Sequence, residues 1–153
     1  MENFDVTVIG AGLAGLYCAR QLAGNGLKVL LVDRRHNLAQ KIHTTGIFVR
    51  KTLEDFEFPP NCLGPVINNV SLYAPSGRAI HLRSDHDEFR IGRMGHLYQH
   101  YLTDCLDLGV CWRPATTYQD FNVQTATLRL SDGLVRTRYL IGADGSCSRV
   151  AVD

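Results

Sequence analysis

Apolar and polar side chains alternate over residues 4–9, a segment rich in β-branched residues, and this predicts a strand. Glycines follow at once, then an alanine- and leucine-rich stretch over residues 13–23 with helical character. Gly24-Asn25-Gly26 closes that helix with residues that tolerate positive φ. Residues 27–32 form an apolar run broken only by Lys28, the pattern of a strand buried on both faces of a parallel sheet. Strand, helix and strand within about thirty residues predict a βαβ unit.

From Asp33 to Gly64 the pattern weakens. Residues 49–58 read as a short helix that Pro59-Pro60 stops. Segments 70–74, 79–82 and 89–91 read as short strands, with Pro75-Ser76-Gly77 as a turn, and predict an antiparallel insert at about 64–92. Residues 94–108 return to helical spacing: Leu97, Tyr101 and Cys105 stand at i, i+4 and i+8, and Gly109 caps the end. Residues 110–112 predict a short strand. Residues 125–130 and 134–139 flank Ser131-Asp132-Gly133, a hairpin signal. The pattern predicts an α/β Rossmann-like domain with a parallel central sheet and an antiparallel β insert. On length, 1–153 is one domain.

Composition narrows the setting. The chain is 45% hydrophobic and 20% charged, enough for a core, and 16 basic residues against 15 acidic leave a net charge of +1. Such a balance gives no field to gather nucleic acid or an acidic membrane, and Trp112 and the tyrosines form no spaced stacking platform. No apolar run reaches the roughly 18 residues of a membrane span. Acids stand at the N-terminus where a signal peptide carries positive charge. The cysteines at 18, 62, 105, 111 and 147 are odd in number and contain no C-x-x-C pair, so reduced thiols in a cytoplasmic protein are expected. His96 and His100 have a metal-compatible spacing, but no third ligand stands near them in sequence, and no metal is expected. Asp85-His86-Asp87-Glu88 reads as a solvated loop.

The chemistry begins at Gly10-Ala11-Gly12-Leu13-Ala14-Gly15, which fits G-x-G-x-x-G between a strand and a helix. In that pattern the first glycine permits the tight turn, the second lets backbone approach a pyrophosphate, and the third lets helix pack on strand. The amides opening the helix and its dipole favour phosphate charge. Asp33 closes the second strand, where an acid accepts hydrogen bonds from adenosine ribose hydroxyls. The acid disfavours a 2′-phosphate, while Arg34 and Arg35 keep that option open.

A second segment lies at the other end: Gly142-Ala143-Asp144-Gly145, with Ser148 three residues beyond. Together with the glycine fingerprint it makes the chain resemble the FAD-dependent oxidoreductases of the glutathione-reductase-like superfamily, in the aromatic-hydroxylase and geranylgeranyl-reductase branch. Lys41 with Thr44-Thr45-Gly46, the turn Ala74-Pro75-Ser76-Gly77-Arg78, and Arg93 opening a helix resemble further landmarks in order. The resemblance implies FAD in an extended pose, with adenine near Asp33, Arg34 and the strand around Tyr118. The flavin would lie toward Gly46, Arg93, Asp144 and Gly145, with Lys41 on the loop after the second strand. It also implies NAD(P)H as electron donor and a small-molecule substrate that is hydroxylated or hydrogenated. The sequence departs from the pattern at Cys147 and Ala151, where family members often carry arginine, and no second Gly-Asp signature occurs before Asp153. The expected reading is therefore the N-terminal cofactor part of a flavoprotein whose C-terminal half is missing, or one that pairs with a second copy. An NAD(P)-dependent dehydrogenase shares the fingerprint and stays an alternative, as does a non-catalytic nucleotide-binding module or inactive fragment.

Overall fold

The computed structural model describes residues 1–152. In chain order the elements are β1 (Asn3–Ile9), α1 (Leu13–Gly24), β2 (Val29–Val32), β3 (Ile47–Val49), α2 (Arg50–Asp55), β4 (Leu63–Ile67), β5 (Asn69–Tyr73), β6 (Ala79–Arg83), β7 (Phe89–Gly92), α3 (Met94–Asp107), β8 (Cys111–Arg113), β9 (Tyr118–Asn122), β10 (Thr127–Leu130) and β11 (Gly133–Gly142). A single 3-10 turn spans Pro60–Cys62. The chain divides into two compact units, one made of Met1–Lys41 with Tyr98–Asp153 and the other of Ile42–Leu97.

The first unit is built on a six-stranded sheet in the order β8-β2-β1-β11-β10-β9. Pairing is parallel from β8 through β11 and antiparallel on to β10 and β9. The α/β class with a mostly parallel sheet is thus as the sequence predicts. β1 lies between β2 and β11, so Val6, Thr7, Val8 and Ile9 are buried, as are all four residues of β2. Phe4, Ile9, Leu30, Val32, Leu128, Leu130 and Val135 form a core cluster that also takes in Tyr118. α1 and α3 pack together through Arg20, whose guanidinium lies over the rings of Tyr17 and Tyr101 and pairs with Asp104 at 3.0 Å. The Cys105 thiol, fully buried, donates to the Leu16 carbonyl, and burial first, then the Asp104 charge, pushes it up to about 11.

The second unit carries a three-stranded antiparallel sheet, β3-β7-β4, and the two-stranded hairpin β5-β6. These are the antiparallel strands that the turn chemistry anticipates, joined by two that it does not. β4 contains Gly64 and Pro65, both poor in strand interiors, and Pro65 is tolerated because β4 is an edge strand. β3 is three residues long and gains definition only from its partner β7. Phe48 and Phe58 stack at 4.6 Å within this unit.

Candidate functional site

The site forms where β1 ends. Gly10 donates its amide to the Val32 carbonyl at 2.7 Å, and Ala143 donates to the Ile9 carbonyl at 2.7 Å, so the turns leaving β1, β2 and β11 are tied at one sheet end. The parallel register Ile9↔Gly142 places the glycine fingerprint directly beside Ala143-Asp144. Two motifs at opposite ends of the sequence therefore make one structure.

The three fingerprint glycines are not equivalent. At Gly10, which has φ +101°, an added Cβ would lie 2.4 Å from the Ala143 carbonyl oxygen. At Gly15 it would lie 1.8 Å from the Gly10 carbonyl oxygen. Both positions are packed against backbone and are glycine for internal reasons. At Gly12, the N-cap of α1, an added Cβ would meet nothing within 4 Å, and φ is an ordinary −74°. Among the described residues nothing requires a glycine there. Gly12 also brings no side-chain cap, so the first-turn amides at Leu13, Ala14 and Gly15, which a helix leaves without internal acceptors, gain none from it. Open space above a bare helix N-terminus fits a pyrophosphate on both counts.

Asp33 lies next to this turn and is 6% exposed. Its carboxylate accepts the Ala11 amide at 2.7 Å on Oδ2 and the Arg35 amide at 2.7 Å on Oδ1. Arg35 adds its Nε to Oδ1 at 3.1 Å and its Nη2 to Oδ2 at 3.0 Å. Burial alone would raise the Asp33 carboxyl. The Arg35 side chain, the two amides and the Arg35 charge outweigh it and hold the group below its usual range. The Asp33 backbone is fixed as well, donating to the Arg113 carbonyl at 3.2 Å and accepting from Thr116 at 3.0 Å. The acid is therefore rigidly placed at the mouth of the cradle.

Other residues singled out in the sequence fall as follows. Ala11 is fully buried, Leu13 half-buried and Ala14 exposed. Arg34 is exposed beside Asp33, and Lys41 is exposed with φ +52°. Tyr118 is 4% exposed on β9, in the core cluster. Asp144 is half-buried and accepts from the Ser148 hydroxyl at 2.6 Å and the Arg149 amide at 2.8 Å. Burial would raise its carboxyl, but Ser148 and the following amides hold it below the usual range. Asp144 thus fixes the turn that leads into Gly145. Arg93 belongs to the second unit, where it is exposed, donates its amide to the Cys62 carbonyl at 2.8 Å and reaches the Asn61 carbonyl at 3.4 Å. The fingerprint, Asp33, Arg34, Asp144 and Gly145 come together at one sheet end, and Tyr118 packs in the core cluster with Ile9 and Val32, two residues beyond Thr116, whose amide meets the Asp33 carbonyl. His100 is 3.7 Å from Asp104. Among the described residues no group of three His, Cys, Asp or Glu side chains is placed to hold a metal ion.

Arg35 is the site residue whose part the sequence did not show. The available signal was its position two residues after Asp33, since an aspartate side chain readily accepts the backbone amide two residues on and so brings that residue's side chain beside it.

The FAD dependent oxidoreductase family matches residues 5–98 of this chain, and the chain belongs to it. It is 28% identical over 97% of its length to the geranylgeranyl diphosphate reductase of Rhodobacter capsulatus, spanning 39% of that protein. It is 29% identical over 97% of its length to an FAD-dependent monooxygenase of Aspergillus terreus, spanning 24% of it. A geranylgeranyl bacteriochlorophyll reductase-like protein from Thermoplasma acidophilum shares the fold, with a TM-score of 0.77 over 95% of this chain and 40% of its own, at 22% identity. The family is one of FAD-dependent proteins, and FAD is the cofactor that the resemblance implied. The chain spans well under half the length of these relatives. Among the described residues no helix is long and apolar enough to cross a membrane.

Proposed function

We propose that this chain holds the ADP half of FAD for a flavin-dependent oxidoreductase of the glutathione-reductase-like superfamily, in the branch of aromatic hydroxylases and geranylgeranyl reductases. NAD(P)H is the electron donor in this reading, and a small organic molecule is reduced at a double bond or oxygenated. The flavin supplies the hydride chemistry when bound, and the protein supplies binding and orientation. The first-turn amides of α1 take the pyrophosphate, Asp33 takes the ribose hydroxyls, and Arg34 lies toward the adenine. Asp144 and Gly145 stand on the flavin side. Lys41, Arg93 and Tyr118 are carried by the resemblance alone. The substrate pocket falls to a further segment of the protein or to a second copy, a reading supported by the 39% share of the Rhodobacter relative that the chain spans. Five free cysteines support a reducing, cytoplasmic setting.

One observation carries the assignment: Gly12 is a glycine that the fold itself does not need. The test follows from it. The purified chain, reconstituted with FAD, is expected to show flavin bands near roughly 375 and 450 nm in the protein-bound fraction. Gly12→Val is expected to abolish retention while leaving circular dichroism and melting unchanged. Undiminished flavin on a folded Gly12→Val protein would place the cofactor elsewhere.

A further inference from the structure

Asp33 meets the rest of the protein with every acceptor position filled. A carboxylate offers about four in-plane lone-pair sites, and here the Ala11 amide, the Arg35 amide, Arg35 Nε and Arg35 Nη2 occupy them, two on each oxygen. Two of these donors are backbone and belong to fixed turns. The other two come from one flexible side chain that keeps 25% of its surface open to solvent. Those two form a fork across Oδ1 and Oδ2, the same pairing of two donors with two acceptors that a vicinal diol requires. Arg35 has supports that do not involve Asp33: Nη2 reaches the Ala11 carbonyl at 3.1 Å and the guanidinium lies 5.8 Å from the Tyr98 ring centroid. It can therefore leave the carboxylate without leaving the site.

Resting on the dinucleotide reading above, we infer that the Arg35 guanidinium occupies the seat that Asp33 offers to the adenosine ribose hydroxyls, so that the nucleotide binds by exchange with Arg35. The hydroxyls then replace hydrogen bonds that already exist, and their net contribution to affinity is small. Arg35 sets how strongly the site reads the ribose. A residue that merely positioned Asp33 would act in the opposite direction, since its loss would blur recognition of the hydroxyls.

Calorimetric titration of the full chain with ADP and with 2′,3′-dideoxy-ADP at fixed salt separates the two. The ratio of dissociation constants is expected to stay within about threefold for the parent and to rise to about tenfold in Arg35→Leu, a ratio worth about 1.4 kcal/mol. Arg35→Lys keeps the charge but loses the fork and is expected to give an intermediate rise; it carries the comparison if Arg35→Leu fails to fold. A ratio that is unchanged or lower in a folded variant overturns the exchange while leaving the dinucleotide site standing. Failure of the parent to bind either nucleotide overturns both.

Discussion

A methyl group at Gly15 would stand 1.8 Å from a backbone oxygen, and one at Gly12 would stand in the open. This contrast separates folding from binding at the scale of single residues. Gly15→Ala is expected to destabilise the chain by about 2–4 kcal/mol, because the clash is with backbone that no rotamer change relieves. Chemical denaturation of that variant beside Gly12→Val checks the pair, and equal losses of stability would contradict the distinction. Asp33 gives a second prediction, with its sign set by linkage. Its folded pKa lies below the unfolded value, so its ionic bonds stabilise the protein above about pH 4 and are lost as pH falls through the lower, folded value. The melting temperature of the parent should exceed that of Asp33→Asn at pH 7, and the gap should close in the acid range below pH 4. A gap independent of pH would deny Asp33 this role.

At the scale of elements, the β5-β6 hairpin sorts its side chains cleanly. The register pairs Val70 with Leu82 and Leu72 with Ile80, so these four aliphatic side chains lie on one face. Leu72, Ile80 and Leu82 are 53%, 61% and 51% exposed, which leaves that face open to water. Contiguous apolar exposure favours association. The double variant Leu72→Thr with Ile80→Thr is expected to lower light scattering at high concentration with little change in melting, since neither side chain is buried. Threonine keeps the strand propensity of the sites. The hairpin was legible in sequence because its turn, Pro75-Ser76-Gly77, is local chemistry. β3 and β4 were not legible, because their order comes from pairing with Phe89–Gly92, more than twenty positions away, and Pro65 interrupts the local signal. The β1-α1-β2 segment and its glycines were readable for the opposite reason: each feature lies within a few residues of the next. The fork from Arg35 to Asp33 depends on where side chains turn, and the sequence offered Arg35 only as a partner for a 2′-phosphate.

At the scale of the whole molecule the two units differ in what holds them. The buried apolar residues of Ile42–Leu97 are Phe48, Cys62, Met94 and Leu97, whereas the other unit buries all of β2, most of β1 and most of the inward face of α1. Local opening is expected first where the core is thinner. Cys62 and Cys105 are both buried and report on one unit each. Under pulsed alkylation in increasing urea, Cys62 is expected to become reactive at a lower concentration than Cys105. Simultaneous labelling would show that the units open as one. The position of β1 has a consequence in time. Its neighbour β11 is Gly133–Gly142, and the Gly10 turn rests on Ala143. A ribosome delivers β1, α1 and β2 first and β11 more than a hundred residues later, so over that interval the first strand has an unpaired edge and the phosphate turn has no wall behind it. On the proposed site, the phosphate turn is complete only once residue 143 has emerged, so the segment that is most legible chemically waits on one made more than a hundred residues after it.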